Sequence, residues 1–403
     1  MTAVIFRPRS LVLVLLFAGC SGGKTAMRAT PPDDPYTITM RADQTAGFLI
    51  IPAVVDGGAA TFIFDTGAGT TVLDKAAFTR LDLPKRGRVE TRDSGGHVDR
   101  LPITLIGELG LGDARFEKVG AIVSDLSFIE HHICRRVDGI LGANVMQHGV
   151  LQVDYETGTI LLASAVDRLP TPKGTGLRAT LLPTPLPVIP VDAGGGARFG
   201  LIVDTGSNGD LAVDAATVDA LEVELRVPAI GTTSAGLLGL GGHDEAFAWP
   251  NVPIGELQLA GADASTAPLS TLGNLILRSF TVRIDYEEHF ATFWPNARPI
   301  PTGHVTFGFA WDYDEHGRAR VVFVRERSAA FAAGIAEGNV VERVGDSEIA
   351  ALDRDGLCRL RRDWAMRDDP VEVVINGKTH CLRKQSLFEE PEAAPQQDGE
   401  CSE

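Results

Sequence analysis

The sequence predicts a mainly β protein built from two alike halves and followed by a small α+β domain. An apolar run closing in Asp-Thr-Gly occurs twice, as Phe62-Ile63-Phe64-Asp65-Thr66-Gly67-Ala68 and as Leu201-Ile202-Val203-Asp204-Thr205-Gly206-Ser207. The 44 glycines and 23 prolines among 403 residues punctuate short apolar segments, as tight turns between short strands require. Past Gly303 the pattern changes, to an apolar Val321-Val322-Phe323-Val324, a small-residue stretch Ser328 to Ile335 and a further apolar run from Val340.

Taken in chain order, the first element is a leader. Arg7 and Arg9 precede Leu11 to Phe17, then Ala18-Gly19-Cys20-Ser21, so residues 1–20 read as a signal peptide, too short for the roughly 20 apolar residues a bilayer span needs. Ala-Gly-Cys resembles a bacterial lipobox, with Phe17 where leucine is usual. The resemblance implies acylation of Cys20, a flexible tether over 21–35 and a place on the periplasmic side of the cell envelope, with Ser21 favouring the outer membrane. Gly19 to Gly23 also fits a serine-hydrolase elbow pattern, which the leader context sets aside.

The first half is expected over 36–168. Thr71 to Phe78 reads as a strand end, an Asp N-cap and a short helix, an order that Leu211 to Val218 repeats. Ile106-Gly107-Glu108-Leu109 recurs as Ile254-Gly255-Glu256-Leu257. Leu141-Gly142-Ala143-Asn144 before Val153-Asp154-Tyr155-Glu156 returns as Leu272-Gly273-Asn274 before Ile284-Asp285-Tyr286-Glu287. Four landmarks in one order imply an internal duplication of about 130 to 140 residues. The Pro- and Gly-containing stretch 169–178 is the expected linker, and 179–298 the second half.

One Asp-Thr-Gly alone reads as an ordinary turn, with Asp bonding its own backbone and Gly supplying positive φ. Two copies in duplicated surroundings read as a paired site, because facing halves bring Asp65 and Asp204 together. Paired carboxylates are what acid/base hydrolysis of an amide by water requires. Asp154 and Asp285, each in an apolar-Asp-Tyr strand, are expected to be structural.

These motifs resemble the aspartic proteases of the pepsin and retropepsin kind over residues 40 to 297. The resemblance implies two β-barrel-like lobes, with catalytic Asp65 and Asp204 on loops at their interface. Thr66 and Thr205 would lock the loops by hydrogen bonds, and Gly67 and Gly206 would admit the backbone close to the carboxylates. Gly142 and Gly273 would close a structural loop beneath each Asp. Ser207 could reach a carboxylate, whereas Ala68 cannot. The implied activity is that of an endopeptidase acting on a peptide or protein substrate without cofactor or metal; the rival reading is a noncatalytic peptide-binding lipoprotein on the same fold. None of Tyr36, Tyr155, Tyr286 and Tyr313 falls in a plausible flap, unlike the pepsin pattern. The expected lids are the glycine-rich tips at Arg92 to His97, with Gly95 and Gly96, and at Ser234 to Gly239, with Gly236 and Gly239.

Residues 303–386 resemble a bacterial PDZ domain, through the helix ending in Ala333-Gly334-Ile335 and the strand entry after Gly338. Asn339 replaces the common Asp, and Gly345-Asp346 the usual Asn-Gly turn. The resemblance implies a carboxylate-binding loop and peptide-pairing strand beginning at Phe307, Gly308 and Phe309, with a peptide C-terminus as ligand. A domain whose groove the protein itself fills is the alternative. In an oxidising compartment Cys358 and Cys381 are the expected disulfide, and His131-His132-Ile133-Cys134 reads as a polar loop with no metal-ligand spacing. Residues 387–403, rich in Glu, Pro, Ala and Gln, are expected to be an acidic disordered tail. The excess of 53 Asp and Glu over 37 Lys and Arg, a net charge of −16, argues against a nucleic-acid partner.

Overall fold

The computed structural model describes residues 10–11, 27–194, 197–314, 316–389 and 401. It is mainly β, and the duplication in sequence is a duplication of topology. The first half orders its strands as Phe48–Val55, Gly58–Phe64, Gly139–Leu141, Thr71–Asp74, Ala114–Ser124, Val98–Leu111 and Lys85–Arg92. The second repeats that order as Val188–Gly194, Ala197–Val203, Thr271–Leu272, Leu211–Val213, Asp263–Thr266, Glu245–Ala248 and Val227–Gly231. Pairing directions also repeat: the strand leading to each Asp lies parallel to the short Gly139–Leu141 or Thr271–Leu272 strand, which in turn runs antiparallel to the next. Phe62, Ile63 and Phe64 are all fully buried, which is why this stretch reads as a continuous apolar run and not as an alternation. Asp74 and Asp214 cap the short helices Lys75–Arg80 and Ala215–Ala220 with their side chains, as the sequence predicts.

The halves share a six-stranded antiparallel sheet. At its centre Val150–Asp154 pairs with Phe280–Asp285; Thr159–Ala163 and Thr37–Arg41 continue one side, Phe290–Pro295 and Leu177–Thr180 the other. Asp154 and Asp285 end the two central strands and accept backbone N–H groups of the turns that follow. The strand Leu177–Thr180 begins inside the expected linker. Residues 27–30 of the expected tether are built into the first half: Met27 and Ala29 are buried, and Thr30 bridges to Glu117. The cause is Asn144, a buried amide that needs acceptors and finds one in the Met27 carbonyl. Of the expected leader, only Ser10–Leu11 is described, paired in parallel with Ser234–Gly236. Cys20 lies outside the described residues.

Residues beyond 303 have their own core, in which Phe307, Phe309, Trp311, Leu357, Trp364 and Val373 are buried. The strands Phe309–Tyr313, Ala319–Arg325, Val340–Val344, Val371–Ile375 and Lys378–Leu382 form its sheet, with the helix Arg354–Met366 before the last two. This unit is not on a free tether, because Ala319–Arg325 also pairs with Val227–Gly231 of the second half. The expected tail starts ordered: Leu387 is buried beside Val227 and Ala246, and the Phe388 ring meets that of His304 at 5.4 Å.

The expected Cys358–Cys381 bridge is not formed. Cys358 joins Cys134, with Cα atoms 5.7 Å apart, and Cys381 joins Cys401. Cys381 lies on the strand Lys378–Leu382 while Cys358 lies on the helix Arg354–Met366, and the first half presents Cys134 to that helix. The His131 to Cys134 stretch is therefore no polar loop. Ser127–Ile133 is a helix, with Ile129, His132 and Ile133 buried and Cys134 as its left-handed C-cap.

Candidate active site

Asp65 and Asp204 stand at the ends of equivalent strands, and the structure brings them together. Each backbone N–H donates at 3.0 Å to the equivalent carbonyl, Leu141 for Asp65 and Leu272 for Asp204. The loops that follow interlock: the Thr66 hydroxyl donates to the Val203 carbonyl at 2.6 Å and accepts from the Thr205 N–H at 3.0 Å. Reciprocally, the Thr205 hydroxyl donates to the Phe64 carbonyl at 2.8 Å and accepts from the Thr66 N–H at 3.0 Å. Four buried bonds thus fix the spacing of the two carboxyls.

The glycines are required by space. A Cβ on Gly67 would stand 2.4 Å from Asp204 Oδ1, and one on Gly206 would stand 2.1 Å from the Asp65 carboxyl carbon. Each loop's glycine is thus pressed against the other loop's carboxylate. Gly67 and Ala68 donate to Asp65 Oδ1, both at 2.8 Å, and Gly206 donates to Asp204 Oδ1 at 2.8 Å. The Ser207 hydroxyl accepts from the Gly209 N–H at 3.2 Å and is not turned to a carboxylate, whereas its backbone N–H faces the Asp204 carboxyl. The backbone turns it into its own loop.

Both carboxyls are fully buried, and Asp65 Oδ2 and Asp204 Oδ2 have no hydrogen-bond donor from the protein. Burial drives both well above the usual carboxylate range; for Asp65 the neighbouring Asp204 charge adds to it, while the surrounding N–H groups oppose it. Two such groups in contact hold one proton between them at moderate pH. The pair then presents one acid and one base to whatever lies between.

Beneath the loops Gly142 and Gly273 occupy equivalent positions, a Cβ on either falling within 2.5 Å of backbone at Thr70 or Gly209. The sequence reading gave Asn144, Asn274 and Tyr155 no task here. Asn274 donates to the Thr205 carbonyl at 2.7 Å and accepts from the Tyr155 hydroxyl at 2.7 Å, bracing the second loop from the first half. Asn144 instead binds the N–H and hydroxyl of Thr71 and the carbonyls of Met27 and Gly120. Asn144 is the second residue of its short helix and Asn274 the first of its own. That offset by one explains their different work.

The lid candidates meet each other. Asp93, at the turn between Lys85–Arg92 and Val98–Leu111, accepts from the His97 N–H within its own tip, which carries Gly95 and Gly96. Its other oxygen accepts from the Leu238 N–H of the second tip at 2.9 Å, close against Gly236; Gly239–Leu240 forms the return strand of that tip. Ala235 and Leu237 pack in a cluster with Ala68 beside the dyad loop. The tips are joined in this structure.

Phe307, Gly308 and Phe309 lie elsewhere. Both rings pack on Trp364, at 4.5 and 5.1 Å, and Gly308 bonds Thr306 and Arg325. Residues 131–134 of the first half pack against both the strand Phe309–Tyr313 and the helix Arg354–Met366, which also bond each other through Asp312 and Arg361. His131 meets Asp312 at 3.2 Å and Tyr313 ring to ring at 4.4 Å, Arg361 donates to the His132 carbonyl at 3.0 Å, and Cys134 is bonded to Cys358. Although burial opposes it, His131 and Arg361 hold the Asp312 carboxyl below its usual range.

Residues 51–145 match the family model described as Aspartyl protease, a span that holds Asp65-Thr66-Gly67, the first lid hairpin and Gly142. No curated protein matches the chain.

Proposed function

We propose that the chain is an aspartic endopeptidase. The observation that carries this reading is the pair Asp65 and Asp204, buried in interlocked loops with one oxygen of each left without a donor. In the one-proton state the ionised carboxyl takes a proton from a water held between the two while the other donates to the scissile carbonyl oxygen. The water oxygen bonds the carbonyl carbon directly to give a gem-diol; the carboxyl that took the water's proton passes it to the amide nitrogen, the C–N bond breaks, the diol returns a proton to the other carboxylate, and the amine leaves without a covalent enzyme intermediate. Because both carboxyls are fully buried, substrate entry requires the joined tips at Asp93 and Leu238 to part.

Within the same reading, Cys20 carries a lipid anchor on the periplasmic side of the envelope, and residues 303–386 act as a PDZ-like unit. Residues 131–134 of the first half contact its strand Phe309–Tyr313 and its helix Arg354–Met366, which favours a docking role over capture of a free peptide C-terminus. The test is digestion of a diverse peptide pool by wild type, Asp65→Asn and Asp204→Asn, with products read by mass spectrometry. Cuts made by wild type and absent from both variants support the reading; cuts that persist in either variant reject the Asp65 and Asp204 dyad as their source, and none in any form rejects the reading in favour of the noncatalytic binder.

A further inference from the structure

A cavity of about 380 Å³ lies where the two halves meet the C-terminal unit, apart from the dyad. Its walls come from the hairpin around Phe48, the end of the helix Ser127–Ile133, the Leu275 to Arg278 turn, Arg298 and the helix Arg354–Met366. Four arginines line it, Arg278, Arg298, Arg361 and Arg362, and no Asp or Glu does. In a chain of net charge −16 that local excess of positive charge runs against composition.

The arginines differ in their partners. Arg361 is matched by Asp312 at 3.1 Å and by the His132 carbonyl, yet its Nε is buried without a hydrogen bond. Among the described residues no hydrogen bond or ion pair engages the side chains of Arg278, Arg298 or Arg362. Burial, with the Arg298 charge nearby, lowers the Arg278 guanidinium to about 10. A partly desolvated guanidinium beside a like charge is costly unless an anion completes it. Leu275 and Met366 supply an apolar wall, and the volume equals roughly a dozen waters.

We propose that this cavity binds a small organic carboxylate, its head held by Arg278, Arg298 and Arg362 and its short apolar body laid against Leu275 and Met366. Guanidinium groups bind carboxylates through paired N–H donors, and the low-dielectric wall strengthens that attraction. Asp65 and Asp204 do not line the cavity, but Tyr155 and Asn274 do, and they brace the Thr205 loop, so binding is read directly and not through peptide hydrolysis.

The test is calorimetric titration of the full chain with hexanoate, hexylammonium and inorganic phosphate, repeated in Arg278→Met and Arg298→Ala. The expected result is one hexanoate per chain, weakened at least about tenfold by Arg278→Met and about threefold by Arg298→Ala, with no binding of hexylammonium. Added salt should weaken it further. Arg298 is exposed, so Arg298→Ala keeps the test readable if Arg278→Met fails to fold. Hexylammonium binding as well as hexanoate, unchanged affinity in the Arg298 variant, or no hexanoate binding up to about 20 mM overturns the proposal. Phosphate binding more tightly than hexanoate overturns the apolar half of it.

Discussion

At the residue scale the site is governed by contacts that leave no room for substitution. Gly67→Ala and Gly206→Ala each drive a methyl into the partner loop's carboxyl, so each should abolish turnover and lower the melting temperature, as activity assays and thermal melts would show. The proton shared by the dyad also links stability to pH. Both carboxyls have folded-state pKa values above their unfolded values, so the folded state holds more protons; that contribution is whole below the ordinary value of 3.8 and is lost as pH rises to about 7, where Asp204 lies. Asp204→Asn cannot ionise and should therefore melt higher than wild type at pH 8, by about 1–3 kcal/mol, with the gain shrinking toward pH 4. A constant difference across that range would contradict the linkage. Asp, Thr and Gly at both loops were legible in sequence because the tripeptide recurs in duplicated surroundings, although Thr and Gly act across the loops, 139 positions apart for Thr66 and Thr205. The bracing of Thr205 by Asn274 and Tyr155 was not, because it joins residues 119 positions apart.

At the element scale the repeated strand order was legible from the order of four landmarks, whereas the helix Ser127–Ile133 was hidden. Its apolar pair Ile129 and Ile133 lies four residues apart on one face, but His131 and His132 give the stretch a polar look. The two glycine-rich tips expected as lids touch each other through Asp93, whose carboxylate serves both hairpins. Asp93→Ala removes that contact, and amide exchange at residues 234–240 should speed up by about tenfold, the loss of one charge-assisted bond. Unchanged exchange would mean the tips are held by Ala235 and Leu237 packing alone.

At the scale of the whole molecule, three units share one body, and sequence composition placed their boundaries more cleanly than the structure does. The C-terminal unit pairs a strand with the second half and a disulfide with the first, contacts that depend on how the units face each other. Cys134→Ser with Cys358→Ser opens a loop spanning 224 positions and should cost a few kcal/mol in thermal unfolding, at most about 5. Peptide cleavage should persist, since the dyad loops do not touch that bridge. The account as a whole rests on one proton held between Asp65 and Asp204. Its most direct test is the pH dependence of kcat/KM for one peptide taken from the pool, measured for wild type, Asp65→Asn and Asp204→Asn. The account predicts a bell whose limbs belong to the pair, with both variants reduced at least about a thousandfold at every pH. A single-limbed profile, or a variant that retains turnover, would contradict it.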